Sequence, residues 1–390
     1  MPTTTYSDHS ATQSWDGTPS QRCPDELLSR YDSLVIEGRL LRAESLDLKK
    51  VLGFGGQGKV FLSERRGIDN FTLPVAVKVF SPERYQSEVA YRESMLKMAE
   101  VAASVAQIQH DNLLDVHNWS DQGGIRMMEM EWVDGCDLKQ LLDLEAFRTI
   151  RDRVSEKRWH SINAVVATSG RAQAQIKPGV AVAIVRDCLA ALSALHRAGI
   201  IHGDIKPSNI MIKRTGHAKI IDIGSAFFDG KAPVRRTCTP TYAAPEVLES
   251  REPSPQSDLA SLGYVLIEML SGMPIFPGLR KQHDLLDAKR FFAQEIKSIL
   301  PREVVRNALL MNFCTRLISP DPKSRFASAQ DAVLVEKEGA AAFLRQLIKG
   351  NLASEYDHEM QLWIEEFVGL DRKPEGDLDE ENGTTGTGSG

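Results

Sequence analysis

The chain has 390 residues, 42% of them hydrophobic and 26% charged, with a formal net charge of −6. This length supports a sizeable core and, taken alone, two or three domain-sized units; the mild acidity leaves no electrostatic footprint for nucleic acid. Five cysteines, Cys23, Cys136, Cys188, Cys238 and Cys314, stand far apart without a C-x-x-C pair, so neither a zinc site nor a disulfide framework is indicated and a reducing compartment fits.

In chain order, residues 1–24 are rich in Ser, Thr, Asp and Pro and read as a disordered segment. They carry no basic start followed by an apolar stretch, so a secretory signal is not expected. Residues 25–45 read as an extension ahead of the first β-type run. Between 46 and 133 the runs LKKVLGFG, KVFLSER, LPVAVKVF and IRMMEMEWV read as strands, interrupted by one long helical stretch, Tyr85–Gln109. From 134 to 336 apolar residues fall mostly at helical spacing, as in Val180–Arg197 and Leu259–Ser271. Within that part, 145–178 reads as an insert with a basic amphipathic opening. Its Phe147, Ile150, Val154 and Trp159 recur at roughly helical spacing and predict an extra packed helix with a solvated face.

Residues 337–370 read as two further helices with Trp363 and Phe367 on one apolar face, and 371–390 as an acidic, Gly-rich disordered end. The run Leu259–Phe276 contains Glu268 and follows Asp258, so it reads as a buried helix. No membrane span is expected, and the reading is of a cytoplasmic chain. The layout predicts an α+β fold with a cleft between two lobes.

Four segments carry chemistry. Gly53-Phe54-Gly55-Gly56-Gln57-Gly58 is followed by a strand, Lys59-Val60-Phe61-Leu62. A dinucleotide-binding turn would open a helix there; a hairpin instead lets backbone N–H groups approach phosphates. Val75-Ala76-Val77-Lys78 sets a lysine in an apolar strand, where its ammonium can meet phosphate oxygens as a point charge. His202-Gly203-Asp204-Ile205-Lys206-Pro207-Ser208-Asn209 follows a helix stopped at Gly199. Asp204 can accept a hydroxyl proton and Asn209 can offer a carbonyl oxygen to a hard cation. In Ile220-Ile221-Asp222-Ile223-Gly224 a carboxylate ends an apolar strand, where it can hold Mg²⁺ across two phosphates.

In order and spacing these segments resemble the protein kinase family over roughly 46–336. The similarity continues through Thr239-Pro240-Thr241-Tyr242-Ala243-Ala244-Pro245-Glu246, through Ser257-Asp258 at the head of the central helix, and through Asp321-Pro322-Lys323-Ser324-Arg325. The resemblance implies a bilobal fold: a small antiparallel β lobe with one helix (46–133) and a larger, mainly helical lobe (134–336). It implies ATP-dependent phosphoryl transfer to Ser or Thr of a protein substrate, with Mg²⁺ or alternatively Mn²⁺ as cofactor and autophosphorylation as one outcome.

It also implies roles, residue by residue. Gly53, Gly55 and Gly58 cover the ATP phosphates. Lys78 meets the α- and β-phosphates, Asp204 is the catalytic base, Lys206 meets the γ-phosphate, and Asn209 and Asp222 bind the metal. Leu52, Val60, Ala76 and Met211 sandwich the adenine, Met130 is the gatekeeper, and Glu131, Trp132 and Val133 form the hinge. His202, Asp258 and Arg325 are structural, and Gly224, Thr237, Thr239 and Glu246 belong to the activation segment. The glutamate that pairs with Lys78 is expected at Glu100, with Glu93 as the alternative. Lysine two residues after Asp204, and Thr239 before Pro240, match the family's Ser/Thr branch.

Two positions depart from the family pattern. Ile223 replaces the aromatic residue of Asp-Phe-Gly. Gly203 replaces the arginine of His-Arg-Asp, which in the family receives an activation-loop phosphate as a charge-assisted pair, so a phosphate on Thr237 would lose its main ligand; Arg235 and Arg236 are alternatives, but an Arg-Arg pair in a loop is more often simply solvated. Activity is therefore expected to be independent of phosphate on Thr237. A Thr237→Ala protein should turn over as the parent does, and a folded Thr237→Ala protein without activity would overturn this.

Overall fold

The computed structural model describes residues 13–14, 25–37, 39–40, 46–232, 237–334, 339–348 and 353–370. Both expected disordered ends lie outside these residues, apart from the two-residue strand Gln13–Ser14. Helix α1 (Asp25–Glu37) precedes six strands: β1 (Arg39–Leu40), β2 (Leu46–Gly55), β3 (Gly58–Arg66), β4 (Thr72–Phe80), β5 (Val116–Gln122) and β6 (Ile125–Glu131). They form one antiparallel sheet in the order β1-β2-β3-β4-β6-β5. Strand β4 lies inside the sheet, and Val75–Phe80 are all buried, the continuous pattern of a strand covered on both faces. Helix α2 (Glu88–Val105) crosses between β4 and β5. It starts at Ser87, whose hydroxyl accepts from the Ala90 N–H at 3.1 Å, an N-cap.

Helix α1 buries Leu27, Tyr31 and Leu34 at i, i+4 and i+7, a single stripe. Burying Leu27 and Leu34 stabilises this docking by about 1.5–3 kcal/mol each. The Arg30 guanidinium adds a 3.3 Å bond to the Gly123 carbonyl.

The helical lobe is built on α3 (Pro178–Arg197) and α4 (Pro255–Ser271). Helix α3, expected as a helix over Val180–Arg197, is long and apolar enough to cross a membrane by length and composition, a property the sequence reading weighed only for Leu259–Phe276. In the fold Leu189, Leu192 and Leu195 are wholly buried, and the helix carries the buried Asp187, which accepts from the Ala218 N–H at 3.1 Å. Strands β7 (Ile210–Lys213) and β8 (Ala218–Ile220) pair at the lobe's upper edge together with Gly135–Asp137. Helices α5 (Gln282–Ile299) and α6 (Ala308–Leu317) follow α4.

The insert folds as two short helices, Leu144–Arg151 and Glu156–Ser161, a π-turn over Ile162–Val166, and a hairpin of Ala167–Ser169 with Ala174–Ile176. Phe147 and Ile150 are buried, and the Phe147 and Trp159 rings pack in a tilted arrangement with centroids 4.9 Å apart. The C-terminal helices are α7 (Ala340–Ile348) and α8 (Ala353–Val368). They pack on the helical lobe, with Trp363 and Phe367 buried and their rings edge-to-face at 5.2 Å. Arg158 of the insert clamps α8 through Glu359 and, at 2.7 Å, Glu366.

One buried ion pair ties the lobe's halves. Arg325 donates from Nη1 and Nη2 to Glu246 at 2.7 and 2.8 Å, and both residues are about 2–3% exposed. Burial alone would raise the Glu246 carboxyl, but Arg325 and the Ser257 hydroxyl at 2.7 Å hold it below the usual glutamate range. Removing one partner leaves an uncompensated buried charge. Arg325→Met should therefore cost roughly 3–5 kcal/mol at pH 7 in urea unfolding. Because the folded carboxyl is depressed, the pair's contribution is present above about pH 4.3 and fades as pH falls through the folded value. The gap between parent and variant should be constant above about pH 4.3 and narrow as pH falls below it, and a gap constant with pH would refute this account.

Candidate active site

Between the two lobes lies a cavity of about 620 Å³, lined by residues of both. Its roof is the β2–β3 hairpin. Gly58 has φ +137°, and a Cβ there would stand 2.0 Å from the Val79 carbonyl oxygen, so only glycine lets β3 lie this close to β4. Leu52, Gly53, Gly55, Val60, Ala76 and Lys78 line the upper side, Met130, Glu131, Trp132 and Val133 the back, and Lys206, Asn209, Met211 and Asp222 the floor. All the residues expected to hold the nucleotide thus face one space. The Glu131 side chain turns to the Asp115 N–H at 2.8 Å and to Lys219.

Lys78 is buried in β4, opposite Val60 on one side and Met128 on the other. Its ammonium meets Asp222 Oδ1 at 2.7 Å and Gln57 Oε1 at 2.8 Å. Burial would raise the Asp222 carboxyl; Lys78 outweighs it, aided by the Gly224 N–H at 2.8 Å, and brings it down to about 2. Asp222 is therefore a carboxylate at any physiological pH.

The glutamate expected on α2 is not at this site. Glu100 and the alternative Glu93 are both exposed. The reason is the helix's buried stripe: Tyr91, Met95, Met98, Ala102 and Val105 face the sheet, and residues two positions from a stripe member lie roughly 200° around the axis. Glu93 and Glu100 share a face, but that face points to solvent. The second partner of Lys78 is Gln57 of the glycine hairpin, which the sequence reading passed over. Its Nε2 also donates to Ser225 Oγ at 2.9 Å, so one side chain ties the roof to the residue just past Gly224.

The other half of the site is Asp204, which follows a turn held by α4. Asp258 is buried and accepts from the His202 and Gly203 N–H groups, both at 2.9 Å, and lies 2.9 Å from His196 Nε2. Gly203 has φ +76°, a conformation that favours glycine. His202 and Ile223 are both fully buried, and burial lowers the His202 imidazole below its ordinary value. Asp204 Oδ1 accepts from the N–H and the hydroxyl of Thr239, each at 2.8 Å. Lys206 Nζ lies 3.1 Å from both Asp204 Oδ2 and Thr239 Oγ1. Asn209 Nδ2 donates to the Asp204 carbonyl at 2.8 Å. Thr237 is described only as backbone, in the strand Thr237–Cys238, and Arg235 and Arg236 lie outside the described residues.

Lys78, Lys206, Asn209 and Asp222 thus line the cavity, and Asp204 lies directly behind its floor, against Lys206 and Asn209. Among the described residues no cluster of three or more His, Cys, Asp or Glu could hold a metal alone. The oxygen donors of Asn209 and Asp222 suit a hard cation that shares its coordination with phosphates.

Comparison with known proteins agrees with this geometry. The sequence profile of the protein kinase domain family matches residues 46–335. Serine/threonine-protein kinase PknH of Mycobacterium bovis is 29% identical over 299 residues, covering 75% of this chain and 43% of the relative. PknH of Mycobacterium tuberculosis H37Rv is likewise 29% identical, with 41% of the relative covered. Serine/threonine-protein kinase PknB of Mycolicibacterium smegmatis is 30% identical over 246 residues, covering 60% of this chain and 34% of the relative. The chain spans less than half the length of these curated relatives. With the domain matched across most of its length and the cleft residues assembled in that order, the chain belongs to the protein kinase family.

Proposed function

We propose that this chain transfers the γ-phosphoryl group of ATP to serine or threonine hydroxyls of proteins. The observation that carries the reading is the Asp204–Thr239–Lys206 cluster, set across one cleft from the Lys78–Asp222 pair. Asp204 is oriented by two Thr239 donors, so its carboxylate is positioned to accept the proton of an incoming hydroxyl. Lys206 beside it would meet the γ-phosphate and Lys78 the α- and β-phosphates. The glycine hairpin would cover the phosphates, and Leu52, Val60, Ala76 and Met211 would flank the adenine. Met130 and the 131–133 backbone would meet its edge.

Asn209 and Asp222 would hold Mg²⁺, or Mn²⁺ in its place, which when bound neutralises charge developing on the phosphates. The chain's own contribution is positioning and fixed charge. The same reading makes protein the acceptor, autophosphorylation included, and the cytoplasm the place where the ATP is met.

One observation favours a second reading, a kinase-fold scaffold: no α2 glutamate pairs with Lys78. Gln57 answers it by holding the same ammonium.

Purified protein with Mg²⁺, labelled ATP and casein should transfer phosphate to serine and threonine, and Asp204→Ala should abolish the transfer. ATP binding without transfer would favour the scaffold.

Gln57→Ala removes a hydrogen bond to a charged group, so kcat/KM for ATP should fall about tenfold. Glu93→Gln and Glu100→Gln should stay within about twofold, as exposed charges do. A collapse of activity in Glu100→Gln would show that α2 turns inward during the reaction.

A further inference from the structure

Lys289 of α5 is fully buried, and the catalytic reading leaves it unused. A lysine in the core ordinarily has a charged partner. Among the described residues no carboxylate pairs with this one. Its Nζ stands over the rings of Tyr264 and Phe276, 3.9 and 4.7 Å from their centroids. It makes one hydrogen bond among the described residues, to the Thr241 carbonyl at 2.6 Å. The ring faces offset part of the lost hydration of an ammonium. Burial still pushes the group well below the ordinary lysine range. Such a costly arrangement in the core directs attention to what the single bond holds.

The bond leads to the loop beside the proposed base. Thr241 lies two residues past Thr239, whose N–H and hydroxyl both donate to Asp204 Oδ1 at 2.8 Å. Between them the chain folds into a tight turn, in which the Tyr242 and Ala243 N–H groups donate back to the Thr239 carbonyl at 2.9 and 3.0 Å. Asp204 thus anchors one end of the turn and Lys289 its middle. The Tyr242 hydroxyl adds a 2.6 Å bond to Glu268. Helix α5 also grips the chain beyond: Gln282 donates to the Leu248 carbonyl, and Arg290 to Glu249 at 2.9 Å. Neither Asp204 nor any of Thr239, Thr241 and Tyr242 lines the nucleotide cavity. ATP would fill that cavity, so an acceptor hydroxyl has to reach Asp204 from the side this turn borders.

We propose that Lys289 is a positioning residue for the protein acceptor: by holding the Thr241 carbonyl it fixes the 239–243 turn against which the acceptor chain lies, and it governs acceptor affinity without governing ATP affinity. This rests on the kinase function proposed above. A loop held in its binding conformation before the acceptor arrives does not have to be ordered at the moment of binding. A lysine reaching out of a packed helix supplies that order from the core, where no solvent competes for its one acceptor.

The test compares the full parent chain with Lys289→Met, in which an apolar side chain of similar length fills the aromatic site without a donor. Both are assayed with Mg²⁺, labelled ATP and casein. KM for casein should rise about tenfold, the loss expected for a hydrogen bond from a charged group. Both kcat and KM for ATP should stay within about twofold of the parent, the pattern of a lost binding contact. The urea midpoint should not fall, because a buried cation has been exchanged for an apolar group of similar volume and the half-buried Thr241 can turn its carbonyl to water. Amide exchange at Tyr242 and Ala243 should quicken several-fold while the α4 amides keep their protection.

An unchanged KM for casein would overturn the proposal and leave the kinase function standing. A lowered urea midpoint, or a variant that does not fold, would make Lys289 a residue of the fold alone and overturn it too. An equal rise in KM for ATP would assign the effect to the cleft as a whole, with the same consequence. Absence of transfer by the parent chain to any acceptor would remove the kinase reading and this proposal together.

Discussion

Asp258 is the residue on which the catalytic geometry hangs. It sits near the start of α4, almost wholly buried, and accepts from two consecutive backbone N–H groups, those of His202 and Gly203, while facing His196. Burial would raise its carboxyl; the His196 contact and the Gly203 N–H outweigh burial and keep it below the usual range. An ionised carboxylate in the core would be costly without these donors. With them it becomes a fixed peg on which the turn before Asp204 is hung. Asp204 then needs only Thr239 and Lys206 to fix its orientation, and Thr239 brings the activation segment with it. The helix core, the catalytic turn and the activation segment are coupled through three carboxylates, Asp258, Asp204 and Glu246, each held by specific donors.

Much of the site was legible because its residues are polar interruptions at defined places in apolar runs. Lys78 stands in the buried strand VAVKVF, Asp222 ends Ile220-Ile221, and Asp204 and Asn209 follow a glycine-stopped helix. The α2 glutamate was misjudged for a physical reason also present in the sequence. A spacing of seven shows that Glu93 and Glu100 share a face, but only the apolar stripe Tyr91, Met95, Met98, Ala102 and Val105 shows which face is inward. Gln57 escaped because a glycine-rich loop invites attention to its backbone, whereas the contact with Lys78 is made by the one long polar side chain among the glycines.

Strand β5 and helix α1 were missed for opposite reasons. Strand β5 is an edge strand with mostly half-exposed and exposed residues and a register shift between Val116 and Asn118, so it shows no clean alternation. Helix α1 did carry a readable stripe, Leu27, Tyr31 and Leu34, but a stripe of three residues predicts a helix only once there is a surface for it to cover. That surface is the β5–β6 hairpin region, distant in sequence. The insert and α8 show the same dependence, since the Arg158 clamp on Glu359 and Glu366 joins residues some two hundred positions apart.

The motif glycines of the roof, Gly53, Gly55 and Gly58, are written alike but do unlike work. At Gly58 a methyl group would collide with the backbone of β4, whereas at Gly53 and Gly55 no atom lies within 4 Å of where a Cβ would be. The fold itself demands the last glycine; the first two are spaces kept open above the cavity. Drift in a lineage that lost catalysis but kept its shape would therefore erode positions 53 and 55 first and leave position 58 intact. Which glycine has gone would then tell a descendant that has abandoned chemistry from one that has abandoned the fold.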